Sequence, residues 1–145
     1  MKVNKETAVY TEIVVNALVV DIYPKGKDKW LRMTCHKYRH SCYRGVFMIN
    51  FQWCTDEESA FAKSISITSM QVASFCAGYL GLASHKPGEK VETLMLAKDC
   101  YISLNYPVPW AAILTPIGRM EFEKYEDGLA LAHIMVQYFN KHLVE

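Results

Sequence analysis

The sequence has no apolar run long enough to cross a membrane. The longest near its start, IVVNALVVDIY, is broken by Asn16 and Asp21 and falls far short of the roughly 20 residues a spanning helix needs. That segment follows Lys2, Lys5, Glu6 and Glu12 and carries no small-residue cleavage site, so it does not read as a secretory signal and a cytoplasmic setting is expected. A cysteine framework is missing as well. Cys35, Cys42, Cys54, Cys76 and Cys100 are odd in number and not closely paired, which points to reduced thiols in a chain large enough to form a core without staples. There is no glycine-rich phosphate loop, because GYLGLAS lacks the Lys-Ser/Thr ending, and no nucleophile elbow. Nor is there a repeat or a low-complexity linker, so residues 1–145 are expected to form a single domain.

Charge of one sign is scarce overall and concentrated locally. Sixteen basic and fifteen acidic residues give a net charge of +1, which excludes a general polyanion scaffold. Yet KGKDKWLRMTCHKYRHSCYR, residues 25–44, holds seven Lys or Arg against one acid, Asp28, leaving nine basic and fourteen acidic residues elsewhere. This asymmetry is the most informative feature of the composition.

Hydrophobic alternation organises the first half. Residues 17–23 place Leu18, Val20 and Ile22 on one face, and residues 29–38 do the same with Leu31, Met33 and Cys35. Pro24 and Gly26 provide a reversal between them. Phe47, Ile49, Phe51 and Trp53 are in phase over 45–53, and Phe61, Ile65 and Ile67 follow. Four antiparallel strands in a meander is the simplest arrangement. Thr55 with Glu58 offers a capping box for one long helix over 56–82 instead, but the alternating Ser64-Ile65-Ser66-Ile67-Thr68 favours the strand.

The second half changes period. Ser69 can cap a helix that is apolar all round and therefore buried, with Ala73, Ala77 and Gly78 allowing close approach. Val91, Leu94, Met95, Lys98 and Ile102 approximate helical spacing over 89–104, with a strand over 94–104 as the alternative. Three prolines in 105–118 exclude a regular helix and limit strands to short or edge pieces. The clearest helix covers 125–143. It has two apolar stripes, Leu129, Ala132, Val136, Phe139 and Leu143 beside Leu131, Met135, Tyr138 and His142. Its thin polar side predicts cover from two directions, its own core and a second copy in a homo-oligomer joined through this C-terminal helix. The expected class is α+β: an antiparallel sheet of four or more strands in the N-terminal half, packed on one face by helices from the C-terminal half including the long terminal one.

If Leu31, Met33 and Cys35 face the helices, alternation turns Trp30, Arg32, Thr34, His36 and Tyr38 to the other side. Neighbouring strands add Asp21, Tyr23, Asn50, Gln52, Ser64 and Ser66 to that face. Aromatic planes stack on bases and Arg forks match phosphate oxygens, so the expected ligand is a phosphate-bearing small molecule, nucleotide-like, or a short nucleic acid. Tyr23, Lys29, Trp30, Arg32, His36, Tyr38, Arg39, Arg44 and Asn50 are the candidate binding residues, with Arg119 as a second phosphate contact; Lys25, Lys27 and Lys37 extend the positive field. Non-catalytic binding, in sequestration or sensing, is the first expectation. A protein-interaction module of inhibitor or immunity type, using the same basic surface against an acidic protein partner, is the alternative.

Other chemistries are weaker. Cys35, His36, His40 and Cys42 are zinc-ligand types, but their spacing fits no usual zinc pattern and cations crowd them. Cys42 with His36 could serve a small hydrolase, yet no orienting acid adjoins them. Glu121 and Glu123 are better read as acids favouring the positive start of the last helix than as a catalytic pair. No metal, cofactor or membrane partner is expected, and no catalytic residue is nominated.

Overall fold

The computed structural model describes residues 9–14, 17–24, 28–37, 47–55, 59–84, 91–105 and 109–143. The N-terminal half is an antiparallel meander in the order β1-β2-β3-β4-β5, here sheet A. Its strands are β1 (Val9–Val14), β2 (Ala17–Ile22), β3 (Trp30–Lys37), β4 (Phe47–Cys54) and β5 (Ser59–Ile67). β1 adds a fifth strand to the four expected. Helix α1 (Ser69–Ser84) follows. A second meander, sheet B, runs β6 (Val91–Ala97), β7 (Cys100–Asn105), β8 (Trp110–Thr115) and β9 (Gly118–Glu121), and α2 (Tyr125–Leu143) ends the described fold. The chain is thus two successive meander-then-helix units that share a topology without a sequence repeat.

Sheet A follows the alternation in the sequence. Leu18, Val20, Ile22, Leu31, Met33, Cys35, Phe47, Ile49, Phe51 and Ile67 are all buried on one face, because registers such as Val20↔Met33 and Met33↔Phe51 put them side by side. Helix α2 lies against this face and against sheet B. Phe139 meets Phe47 edge-on at 5.0 Å and Phe75 of α1 at 6.0 Å, contacts worth about 0.5–1.5 kcal/mol each beyond burial. On its other side α2 packs on β7 and β8. Leu131, Ala132, Met135, Val136, Tyr138, Phe139 and His142 are all buried within the one chain, so the thin polar side of α2 does not by itself call for a second copy.

Three sequence expectations change. Within the segment read as a helix over 89–104, Val91–Ala97 and Cys100–Asn105 are two strands: Lys98 and Asp99 form a two-residue turn, with Asp99 at φ 61°, a left-handed conformation that Asp tolerates better than most residues. Leu94, Leu96, Cys100, Ile102 and Leu104 are then the buried set. The proline-rich segment yields β8, paired on both sides, because Pro109 precedes the strand and Pro116 falls in the turn after it, where no ladder N–H is lost. Finally, α1 is capped by Thr68 rather than Ser69. Thr68 Oγ1 accepts from the Gln71 N–H at 3.1 Å and Gln71 Oε1 accepts from the Thr68 N–H at 2.7 Å, a reciprocal capping box. The helix buries only one side: Val72, Phe75 and Cys76 are covered, while Met70, Ala73, Ala77, Gly78 and Leu80 are exposed.

β5 is one edge of sheet A and runs nine residues, long enough to recruit another strand. Lys63 stands in phase with Ile65 and Ile67, opposite Phe51. A charge on the inward face of an edge strand discourages such pairing.

Candidate functional site

The outward face of sheet A is built by the same alternation that builds the core. In β3, Leu31, Met33 and Cys35 are buried while Trp30, Arg32, Thr34 and His36 are half-buried on the other side. Asp21 lies directly across from Arg32 on one neighbour and Gln52 on the other; Asn50 lies across from Thr34 and Ser64. Val19, Met48 and Ala62 lie on the same face, opposite Thr34, His36 and Gln52, so it mixes amide, hydroxyl, aromatic and aliphatic side chains around one ion pair.

That pair is the best-defined polar feature of the molecule. Arg32 Nε donates to Asp21 Oδ1 at 2.7 Å and Nη2 donates to Oδ2 at 2.9 Å, the bidentate fork that fits guanidinium to carboxylate. Asp21 is 2% exposed, whereas 40% of the Arg32 side chain is exposed. The bond to Asp21 raises the Arg32 pKa still further, so the guanidinium stays charged. Two of its five N–H donors are committed to Asp21, and three remain for other acceptors. An Arg held in this way is oriented, but its charge is largely neutralised by its partner.

Beside it stands an aromatic stack. Tyr23, just past the end of β2, lies on Trp30 with ring centroids 5.4 Å apart and planes 24° from parallel. The Trp30 indole Nε1 is buried and has no hydrogen-bond partner. A desolvated donor left unpaired costs about 1–3 kcal/mol, so this N–H is a place where an added acceptor would stabilise the protein. Cys54 lies opposite Trp30. It shares the outward phase of Asn50 and Gln52, in register with Trp30 as Gln52 is with Arg32. Burial pushes its thiol pKa up, with Arg32 opposing the shift only partly. The thiol is thus held neutral, a poor state for a nucleophile.

The candidates from the sequence separate into groups. Tyr23, Trp30 and Arg32 come together, and Asn50 and His36 share their face, with Ser64 Oγ donating to Asn50 Oδ1 at 2.9 Å. Lys29 does not join them: its Nζ lies 4.5 Å from the centroid of the Trp53 ring, on the side of Leu31. Arg119 belongs to sheet B, where it pairs with exposed Glu121 at 3.1 Å. Tyr38, Arg39 and Arg44, and the flanking Lys25 and Lys27, lie outside the described residues. Cys35 and His36 point to opposite faces of β3 and cannot share one ion, and the described residues contain no cluster of three metal-ligand side chains.

Comparison with known protein families, curated proteins and solved structures finds no match to this chain. The site must therefore be argued from its own chemistry. One of its members, Cys54, escaped the sequence reading, whereas alternation already places Asp21 on this face. Asp21 carried a usable signal, a lone acid in an otherwise apolar strand at the phase facing Arg32. Cys54 carried one too, since alternation from Asn50 and Gln52 turns it outward. Among the described residues no helix is long and apolar enough to cross a membrane.

Proposed function

We propose that the protein binds a nucleotide-like ligand on the outward face of sheet A without transforming it. The observation that carries this reading is the Tyr23–Trp30 stack beside a guanidinium already oriented by a buried carboxylate. An aromatic platform is worth about 1–3 kcal/mol per stacked base, and a donor fixed before binding loses little rotamer entropy when the ligand arrives. Because Asp21 neutralises Arg32, the charge that attracts a phosphate must come mainly from elsewhere. Lys25 and Lys27 occupy the connection between β2 and β3, next in sequence to the aromatic stack. Arg39 and Arg44 follow β3 in the sequence.

A flat sheet face lined by Gln52, Asn50, Ser64 and Ser66 also suits a protein surface, and an acidic partner protein is the second reading. The two separate in a thermal-shift titration with the four ribonucleoside monophosphates and with short single-stranded oligonucleotides. A ligand at 100 times its Kd adds about 2.7 kcal/mol, which for 145 residues raises Tm by about 9 °C. Trp30→Ala is expected to abolish the response. If no nucleotide or oligonucleotide shifts Tm, the nucleotide reading is wrong and the acidic partner takes its place.

A further inference from the structure

Among the described strands, β1, β5, β6 and β9 stand at the edges of the two sheets. β5 carries Lys63 on its inward side, α1 packs along β6, and β1 contains one acid and no base. β9 differs from all three. Its outward side holds one charge of each sign, Arg119 and Glu121, both exposed and paired with each other at 3.1 Å. Charges on a sheet edge ordinarily discourage a second strand. One of each sign, set two residues apart, does the reverse with an antiparallel copy of itself.

We propose that β9 pairs antiparallel with β9 of a second copy of this chain, about a two-fold axis at Met120, joining two B sheets into one. The backbone suits this register. Phe122 N–H donates to Ala111 O at 2.9 Å, continuing the ladder of Ile113↔Met120 and Thr115↔Gly118. Alternate residues of an antiparallel strand direct both backbone groups to the same neighbour, so Gly118 and Met120 turn theirs to β8 while Arg119 and Glu121 turn theirs to the outer edge. A two-fold axis at Met120 sets Arg119 of each copy across from Glu121 of the other, and these are the positions whose N–H and C=O face the second strand. Side chains opposed in this way have Cβ atoms about 4.5–5.5 Å apart. Each guanidinium then lies between the Glu121 of its own strand and that of the other, and four charges alternate in sign around a square. Neighbouring registers lose this match: an axis at Arg119 sets guanidinium against guanidinium, an axis at Glu121 sets carboxylate against carboxylate, and a slip of one residue misaligns the backbone groups. A two-fold contact must be complementary to itself, and β9 meets that condition in one register.

The strand is only four residues long, which makes a small contact, so self-association is followed by sedimentation equilibrium from about 10 µM to about 500 µM protein, the range of weak complexes. Wild type is expected to pass from monomer to dimer across that range. Arg119→Glu opposes acid to acid and Glu121→Arg opposes base to base, at both pairs, so each alone should weaken the dimer at least about tenfold. An equimolar mixture of these two variants should recover it as a heterodimer within about threefold of wild type, because every opposed pair is again acid against base. The double exchange in one chain should self-associate as wild type does. Sodium chloride at about 0.5 M should weaken each of these dimers. Both side chains are exposed, and unchanged urea midpoints establish that the single variants are folded. A wild-type chain that stays monomeric throughout the range, folded single reversals that dimerise as wild type does, or a mixture that fails to recover the dimer overturns the proposal. None of these results touches sheet A, so nucleotide binding there stands or falls separately.

Discussion

Replacing Arg32 with alanine weighs the ion pair on sheet A directly, and it does more than delete a ligand contact. Arg32 supplies the two hydrogen bonds that hold a carboxylate 2% exposed. Alanine leaves that carboxylate without its two guanidinium donors. Breaking a fully buried pair in this way costs about 3–5 kcal/mol. The Arg32 side chain is 40% exposed, so solvent screening brings the expected loss to about 2 kcal/mol. With an unfolding entropy near 0.3 kcal/mol/K for a chain of this length, Tm falls by about 7 °C. Urea unfolding at pH 7 measures the loss. Asp21→Asn combined with Arg32→Ala removes the stranded charge and should recover at least half the deficit. An Arg32→Ala protein within about 0.5 kcal/mol of wild type would show that Asp21 does not depend on Arg32.

Three further outcomes are expected. Gly128→Ala should gain about 1 kcal/mol from helix propensity and still destabilise the protein by about 1–3 kcal/mol in urea, because its Cβ would fall 2.5 Å from the Cβ of Ala111; a neutral result means that the start of α2 can withdraw from β8. Thr68→Ala should cost about 1 kcal/mol by removing the acceptor for the Gln71 N–H, and an unchanged urea midpoint would refute the capping role. Burial pushes the Cys100 pKa up to about 12, while an unfolded thiol ionises near about 8.5. Its contribution is thus intact below about pH 8.5 and is lost as pH rises toward 12. Cys100→Ala should flatten the fall in unfolding free energy between pH 8.5 and about 10.5, and an unaltered slope would count against the burial of this thiol.

Much of sheet A was legible because its strands are buried on one face only, so period two is written into the sequence from Leu18 to Ile67. Sheet B was less so. Val91, Leu94, Met95, Lys98 and Ile102 mimic a helical stripe. The turn that breaks it uses Lys98 and Asp99, without the glycine that usually marks a two-residue hairpin. The second stripe on α2 was correctly seen but its cover was not, because a single helix cannot show that a second sheet will close over it. Within the site, alternation placed Trp30, Tyr23 and Arg32 together. It could not show that Arg32 is already engaged, since cross-strand register depends on hairpin geometry that lies between the strands.

The two arginines nominated for phosphate show why position within the fold outweighs residue type. Both lie on outward sheet faces. Arg119 pairs with Glu121 two residues along its own strand, and the two side chains are 52% and 69% exposed. Such a pair is worth little and fixes neither partner. Arg32 instead reaches across the ladder to an acid fixed in the interior strand β2, so two of its five N–H donors are spent there and three remain. Electrostatic attraction alone would favour Arg119, whose partner is easily displaced. Recognition of a ring and its edge acceptors favours Arg32, because donors already aimed discriminate between ligands, whereas a mobile charge accepts any anion. The segregation of these two arrangements onto different sheets makes sheet A the surface on which selectivity can be built, and leaves Arg119 outside the site.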